Sequence, residues 1–405
     1  LSTKEQKRLM VLGGVDRGEV TASEAAQVLN LRVRQVRRLL AAYRRKGAGA
    51  LAHGNRGRRP AHALDESVAE RVVQLSLTKY TGFNNCHLAE FLAEREGMTL
   101  SVSSVRRIRL GGGTASPHKR RAPKHRSRRE RYPRAGMLLQ ADGSHHDWLE
   151  GRGPYLTLIG AIDDATGEVV AALFRYQEDS HGYLLLLRDI VSTHGIPGAV
   201  YHDRHSIFEV PTTRRESIEE QLAGKRELTQ VGRAMEEIGI TSIPSLSPQA
   251  RGRIERLWKT FQDRLVSELR LANACTLEEA DRVLKEFLPR YNRRFVVAPV
   301  SAESAYRQPD SQFNPESVFC FKYWRTVGAD NVVRFVQERL QILPYGSRPS
   351  YAHARVEVHE RLDGSLAVCY QGECLSTTVA PAEAPVIRAR TLKRVPATVT
   401  ARTTQ

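Results

Sequence analysis

The chain has 405 residues, 41% hydrophobic and 26% charged, which is too long for one ordinary domain and normal for a globular composition. No apolar run approaches the roughly 20 residues that a membrane-spanning helix needs, and no secretory leader is recognisable, so a cytoplasmic protein that does not enter a membrane is expected. The formal net charge of +17 is uneven: residues 1–134 hold 29 Lys and Arg against 11 Asp and Glu, a formal +18, and the remainder holds 33 against 34, a formal −1.

A basic block confined to one end points to a polyanion, because each phosphate it neutralises releases counterions. A merely solubilising surface would not be confined in this way. Cys86, Cys275, Cys320, Cys369 and Cys374 form no CxxC pair, so they are read as reduced structural thiols and no zinc site is expected. The histidines, among them His145, His146, His202 and His205, likewise lack ligand spacing.

In chain order, residues 20–46 carry the first clear pattern, VTASEAAQVLNLRVRQVRRLLAAYRRK. Thr21 followed three residues later by Glu24 is a capping box, which predicts a short helix from Ala22 to Leu29. A turn at Asn30-Leu31 then leads to a second helix from Arg32, with Val33, Val36, Leu40 and Tyr43 on one apolar face. This is the helix-turn-helix layout, whose second helix enters the major groove. Arg32, Arg34, Gln35, Arg37, Arg38 and Arg45 are its candidate DNA contacts. A solvated charged face is the plainer alternative, but the helix lacks acidic partners at i,i+4, and Arg and Gln are types that read base edges.

Residues 1–52 are therefore assigned to a helix-turn-helix domain and 53–64 to a basic linker in which Arg56, Arg58 and Arg59 track phosphates. Residues 65–110 show helical periodicity and end in SVSSVRRIRL, read as a second all-α DNA-binding module with Arg106, Arg107 and Arg109 as contacts. Residues 111–136, rich in Gly, Pro and Arg, form a second basic linker carrying Arg120 and Arg121.

From Met137 the pattern changes to an α/β one. MLLQAD (137–142) reads as a strand ending in Asp142, and YLTLIGAI (155–162) and EVVAALFR (168–175) as a hairpin around Asp163 and Asp164. A helix over 180–194 and a strand, GAVYHD (198–203), ending in Asp203 come next, then a fifth strand near Ile240. SPQARGRIERLWKTFQDRL follows as a helix carrying Glu255, with Ile254, Trp258, Phe261 and Leu265 as its buried stripe. That order, a mixed five-stranded sheet over 137–306 with acids on the first strand, the fourth strand and a late helix, is the RNase H-like plan. Carboxylates without His or Cys suit Mg²⁺ or Mn²⁺, and two such ions about 3.5–4 Å apart serve in-line displacement at phosphorus.

Asp147, Asp163 and Asp164 lie in turn-like sequence and are read as structural, and Trp148 as core. Arg251, Arg253, Arg256 and Lys259 lie near enough to Glu255 to meet DNA, and Asn292 to Arg294 are further candidates. Residues 320–380 read as a small SH3-like β-barrel and 381–405 as a disordered tail.

QADGSHHDWL, YHDRHSIF and SPQARGRIERLWKTFQDRL resemble the three blocks of bacterial insertion-sequence transposases of the ISNCY type, in the retroviral integrase superfamily. The resemblance implies that Asp142, Asp203 and Glu255 are a DDE catalytic triad holding two Mg²⁺ or Mn²⁺ ions. It also implies a terminal segment of 277–306 packed beside the active site, and a homodimer or larger assembly on two element ends in the nucleoid. The activity expected is binding of terminal inverted repeats, DNA cleavage and strand transfer without a nucleotide cofactor, in keeping with the lack of a GxxxxGK[ST] loop. A non-catalytic DNA-binding regulator and an RNase H-like nuclease are the alternatives. Asp203 and Glu255 are separated more widely than in the tightest members, through a polar insertion at 209–229.

Overall fold

Residues 2–53, 64–114, 116, 130–210, 227–245, 252–344 and 348–381 are described by the structure, a computed structural model. The expected contacts Arg56, Arg58, Arg59, Arg120, Arg121 and Arg251 lie outside them, as do most of the 209–229 insertion and of the 381–405 tail. The chain divides into two units, Leu1–Val72 and Val73–Gln405.

In the first unit the capping box forms as read: Thr21 N donates to Glu24 Oε2 at 2.7 Å and Glu24 N to Thr21 Oγ1 at 3.3 Å. It starts α2 (Ala22–Leu29), which closes at Asn30 in the left-handed region, φ 52°, where asparagine is among the better tolerated side chains. α3 (Val33–Lys46) follows with Val36 and Leu40 buried. Sequence reading passed over α1 (Thr3–Asp16). Its signal was the Ser2-to-Glu5 spacing, since Ser2 N donates to Glu5 Oε2 at 2.6 Å. Leu12, Ala25, Ala26, Val36, Leu40 and Leu51 make the shared core. α4 (Glu66–Leu77) runs across the boundary between the units.

In the second unit α5 (Asn85–Glu96) and α6 (Val102–Gly111) precede a sheet of strand order β3-β2-β1-β4-β5. Its strands are β1 (Leu139–His146), β2 (Leu156–Asp163), β3 (Val169–Arg175), β4 (Ala199–His202) and β5 (Thr241–Pro244). β1, β2 and β3 are antiparallel neighbours, and β4 joins β1 in parallel. The mixed five-stranded sheet is the one expected. β1 nevertheless continues four residues past Asp142, because Gly143 to His146 stay paired with Ile159 to Leu156.

The two faces carry separate helix layers. α7 (Ser180–Thr193) and α8 (Gln230–Glu237) cover Leu139, Ala141, Ile159 and Val200. α9 (Gly252–Leu271) and α10 (Leu277–Phe295) cover Leu156, Leu158, Ile162 and Phe174. α10 ends at Phe295: Val296 is extended, φ −65° and ψ 140°, and the β-branched Val296-Val297 and nearby Pro299 favour extended chain. The chain then runs alongside 133–135 and 164–166, with Val297 N on Thr166 O at 3.0 Å and Ala305 N on Ala135 O at 2.8 Å.

After α11 (Pro315–Val318), seven strands follow among the described residues: β6 (Cys320–Thr326), β7 (Val332–Phe335), β8 (Glu338–Ile342), β9 (Arg355–Arg361), β10 (Leu366–Tyr370), β11 (Glu373–Leu375) and β12 (Thr377–Val379). They make no closed SH3-like barrel, in contrast to the expectation. The sheets are separate, β11-β10-β9-β6 and β12-β8-β7. The chain leaves one for the other at Ser376, between β11 and β12, and no ladder joins β6 to β7 among the described residues. Val333, Phe335, Val356, Val358 and Val368 bind the two sheets through one core. The cysteines also depart from expectation: Cys369 and Cys374, direct cross-strand partners of β10 and β11, are disulfide-bonded, and Cys86, Cys275 and Cys320 are free.

Candidate active site and DNA-facing helices

Parallel pairing of β1 with β4 sets Leu139 opposite Val200 and Gln140 opposite Tyr201. Continued by two residues, that register brings Asp142 level with Asp203 at the C-terminal end of β4. Strand alternation puts Leu139 and Val200 in the α7/α8 core, so Gln140 and Asp142 on β1, and Tyr201 and Asp203 on β4, take the other face, the one α9 covers. Three contacts fix α9 over these residues. Ile254 N donates to Gln140 Oε1 at 3.3 Å, Trp258 Nε1 to Asp142 Oδ2 at 3.2 Å, and Gln262 Nε2 to Ser144 Oγ at 3.3 Å. Glu255 lies one turn before Trp258 on the same helix face, half-buried in the first turn of α9, where the helix dipole favours an anion.

Close approach here depends on glycine. A Cβ on Gly160, the cross-strand partner of Asp142, would stand 3.0 Å from the Trp258 ring, and one on Gly143 would stand 2.7 Å from the Glu178 carboxylate. Glu178, an acid that sequence reading missed, lies on the α7 side of β1, the face that Gly143 shares with Leu139 and Ala141, and Tyr183 beside it is a second omission. Tyr183 OH donates to Glu178 Oε1 at 2.5 Å. Burial, and then the negative charges of Glu178, Asp142 and Asp203, hold its phenol well above the ordinary tyrosine range, so the hydroxyl keeps its proton. A signal did exist: Gly143 and Gly160 interrupt strands where a neighbour comes close.

The remaining partners support the acids from behind. His202 is fully buried and stacked on Phe208 with ring centroids 4.0 Å apart, and its Nδ1 donates to the carbonyl of Asp203 at 2.5 Å. Asp203 Oδ1 accepts from His205 N at 3.1 Å. Among the described residues, the ligand oxygens of Asp142, Asp203 and Glu255 do not all fall within 4.8 Å of one another, so they form no single-ion cage.

The acids read as structural are so. Asp163 Oδ1 accepts from Ala165 N, Thr166 N and Thr166 Oγ1, and Oδ2 from Gly136 N. Asp164 accepts from Tyr132 N, Gln140 Nε2 and Arg253 Nε. Asp147 caps a turn through Gly151 N, and Trp148 is fully buried.

The basic candidates divide. Arg32, Arg34, Arg37, Arg38 and Arg45 are exposed and Gln35 is half-buried, along the side of α3 away from Val36 and Leu40. Arg106, Arg107 and Lys259 are also exposed. Arg109 is only 4% exposed and donates to Phe83 O and Asn85 Oδ1, so the structure removes it from a DNA-facing surface. Arg253 is spent on Asp164, 2.7 Å away, and on Glu130 O. Asn292 exchanges hydrogen bonds with Val169, and Arg294 pairs with Glu90 at 2.8 Å.

The module at 65–110 also docks on the core within the second unit. Glu90 receives Arg264 at 2.7 and 3.0 Å, His87 meets Glu268 at 3.2 Å, and Asn84 donates to Asp263 at 2.5 Å.

A helix-turn-helix unit joined to an α/β sheet with acids gathered on one face defines a DNA-processing protein, and comparison with known proteins agrees. Residues 8–70 match the winged helix-turn helix family. Over 381 residues the chain is 34% identical to the Sinorhizobium fredii protein named "Putative transposase y4bF", covering 93% of this chain and 80% of that one. It is also 34% identical over 325 residues to the transposase for insertion sequence IS1202 of Streptococcus pneumoniae, covering 72% of this chain and 68% of that one.

Among solved structures, a chain of the simian T-cell lymphotropic virus intasome aligns at TM-score 0.32 and 13% identity, over 77% of this chain and 100% of that one. The HTLV-2 integrase catalytic core, solved with magnesium, aligns at 0.27 and 17%, over 38% and 82%. Scores of that size fix neither fold nor chemistry. The two sequence relatives do fix the family: this chain belongs to the insertion-sequence transposases. It is a DNA transposase, an enzyme of polynucleotidyl transfer.

Proposed function

We propose that this transposase binds the terminal inverted repeats of its element and cleaves and joins DNA at a site made by Asp142, Asp203 and Glu255. The observation that carries the reading is the shared register of Asp142 and Asp203 on the α9-covered face of the sheet, with Glu255 in the first turn of that helix. The donor set fits Mg²⁺ or Mn²⁺ because it is all carboxylate, and hard oxygen donors suit hard cations. When bound, such ions supply Lewis-acid neutralisation of charge at the phosphodiester.

The chain's own residues do the rest. Trp258 holds the Asp142 carboxylate in one orientation, and His202 and the His205 amide hold the Asp203 turn. Tyr183, as a fixed donor, keeps the Glu178 carboxylate beside Gly143. Arg34, Gln35 and Arg38 read base edges, and Arg32, Arg37, Arg45, Arg106, Arg107 and Lys259 hold phosphates. We place the catalytic domain at 137–306, and pairing of two ends by at least a homodimer in the cytoplasm completes the reading. No helix among the described residues is long and apolar enough to cross a membrane.

The test is incubation of the full chain with labelled candidate end DNA and Mg²⁺, followed by mapping of nicks and joints. End-specific cleavage and joined products are expected. End binding without either product contradicts the proposal.

A further inference from the structure

We propose that the C-terminal sheet holds a redox-gated zinc site made by His359, Cys369 and Cys374, separate from the acidic site. One ligand atom from each of the three lies within 4.8 Å of those of the others. Strand register explains why. Cys369 opposes Cys374 on β11 and Glu357 on β9, and His359 lies two residues beyond Glu357, so all four side chains stand on one face of the sheet. His359 and Cys369 are 5% and 2% exposed, whereas Cys374 is exposed and gives a route in for the ion.

The spacing of Cys369 and His359 is that of a zinc centre. Cys369 Sγ lies 3.6 Å from His359 Nδ1. Tetrahedral bonds of about 2.3 Å to sulfur and about 2.0–2.1 Å to nitrogen put S and N about 3.6 Å apart. The other ring nitrogen, Nε2, lies 3.1 Å from Glu357 Oε2. A carboxylate behind a histidine is the arrangement that fixes the tautomer with a lone pair on the ligating nitrogen. Water completes the tetrahedron on the exposed side.

In the structure Cys369 and Cys374 are joined to each other. Reduction by a cellular dithiol transfers two electrons and two protons, leaving two thiols here and a disulfide on the reductant. Binding of Zn²⁺ then releases both thiol protons and forms two Zn–S bonds and one Zn–N bond. The two states tie different strands. The disulfide links β10 to β11 alone, whereas the metal also fastens both to β9 through His359. The β10–β11 hairpin therefore responds to both redox state and zinc.

The test uses full-length protein with Mg²⁺ kept in the buffer. The protein is reduced with excess dithiol, stripped by chelation, desalted without oxygen and titrated with Co²⁺. Thiolate-to-cobalt charge-transfer absorption is expected to rise to a single equivalent per chain and to be displaced by Zn²⁺. Cys374→Ser, a change at an exposed position, removes the band, whereas Cys275→Ser leaves it. Glu357→Gln weakens Co²⁺ binding roughly 10–100-fold. Oxidised wild-type protein, which needs no substitution, shows no band until it is reduced. Absence of the band in reduced wild type, or an unchanged band in Cys374→Ser, overturns the proposal.

Discussion

Two pairs of aspartates sit on one sheet and meet opposite fates. Asp163 ends β2 and Asp164 follows it; both are all but inaccessible and accept hydrogen bonds from backbone amides, Thr166, Gln140 and Arg253. Asp142 and Asp203 lie on neighbouring parallel strands, half-buried, with the Trp258 indole on one and the His205 amide on the other. Residue type is the same in both pairs, so what separates them is burial: the first pair is sealed from solvent and the second stays partly open to it. A carboxylate enclosed by donors is part of the scaffold. One left half-exposed at a strand end stays accessible to a cation.

The contrast breaks most sharply by substitution. Asp142→Asn, Asp203→Asn or Glu255→Gln is expected to lower cleavage and joining by roughly 1000-fold or more, the scale of several kcal/mol of charge stabilisation, with end binding and melting nearly unchanged. Asp164→Ala inverts the pattern: loss of a buried carboxylate partnered by Arg253 costs about 3–5 kcal/mol of stability, read as the denaturant midpoint, while joining persists under conditions where the variant stays folded. A stable Asp164→Ala that fails to join DNA would place that residue in the site.

The two arginine helices sharpen the same distinction. Arg38→Ala on exposed α3 is expected to cost about 1–3 kcal/mol on cognate ends and little on scrambled duplex, as base readout requires. Arg109→Ala on α6 is expected instead to lower stability by about 1–3 kcal/mol, since buried acceptors at Phe83 and Asn85 lose their donor, with base preference unchanged. Equal loss on both duplexes for Arg38→Ala would move sequence reading away from α3. The smallest effect belongs to Tyr183→Phe, which removes the hydroxyl from Glu178: joining is expected to slow roughly tenfold, about 1.5 kcal/mol, with end affinity unchanged.

What could be read beforehand follows the range of the interactions. The α2-turn-α3 segment is specified locally, by a capping box, a left-handed asparagine and an apolar stripe, and it forms within a residue of its expected bounds. The strands were legible because buried strands and turn residues alternate plainly in 137–203. Features set by distant partners were not. Arg109 carries the same charge as Arg106, and only the neighbouring Phe83 carbonyl decides that it turns inward. Glu178, with Tyr183 beside it, meets β1 where glycine leaves the strand uncovered, and the Cys369–Cys374 pair forms through a hairpin register. The C-terminal strands were correctly seen as β, but their division into two sheets depends on pairing between distant strands, β6 with β9 and β8 with β12.

The most direct test of the central claim is a joining assay on end DNA with Asp142→Cys, run with Mg²⁺ and with Mn²⁺. A thiolate is a poor ligand for the harder Mg²⁺ and a better one for Mn²⁺. The account predicts no joined product with Mg²⁺ and partial recovery with Mn²⁺, at unchanged end binding. Joining by Asp142→Cys with Mg²⁺ at the wild-type rate would contradict it.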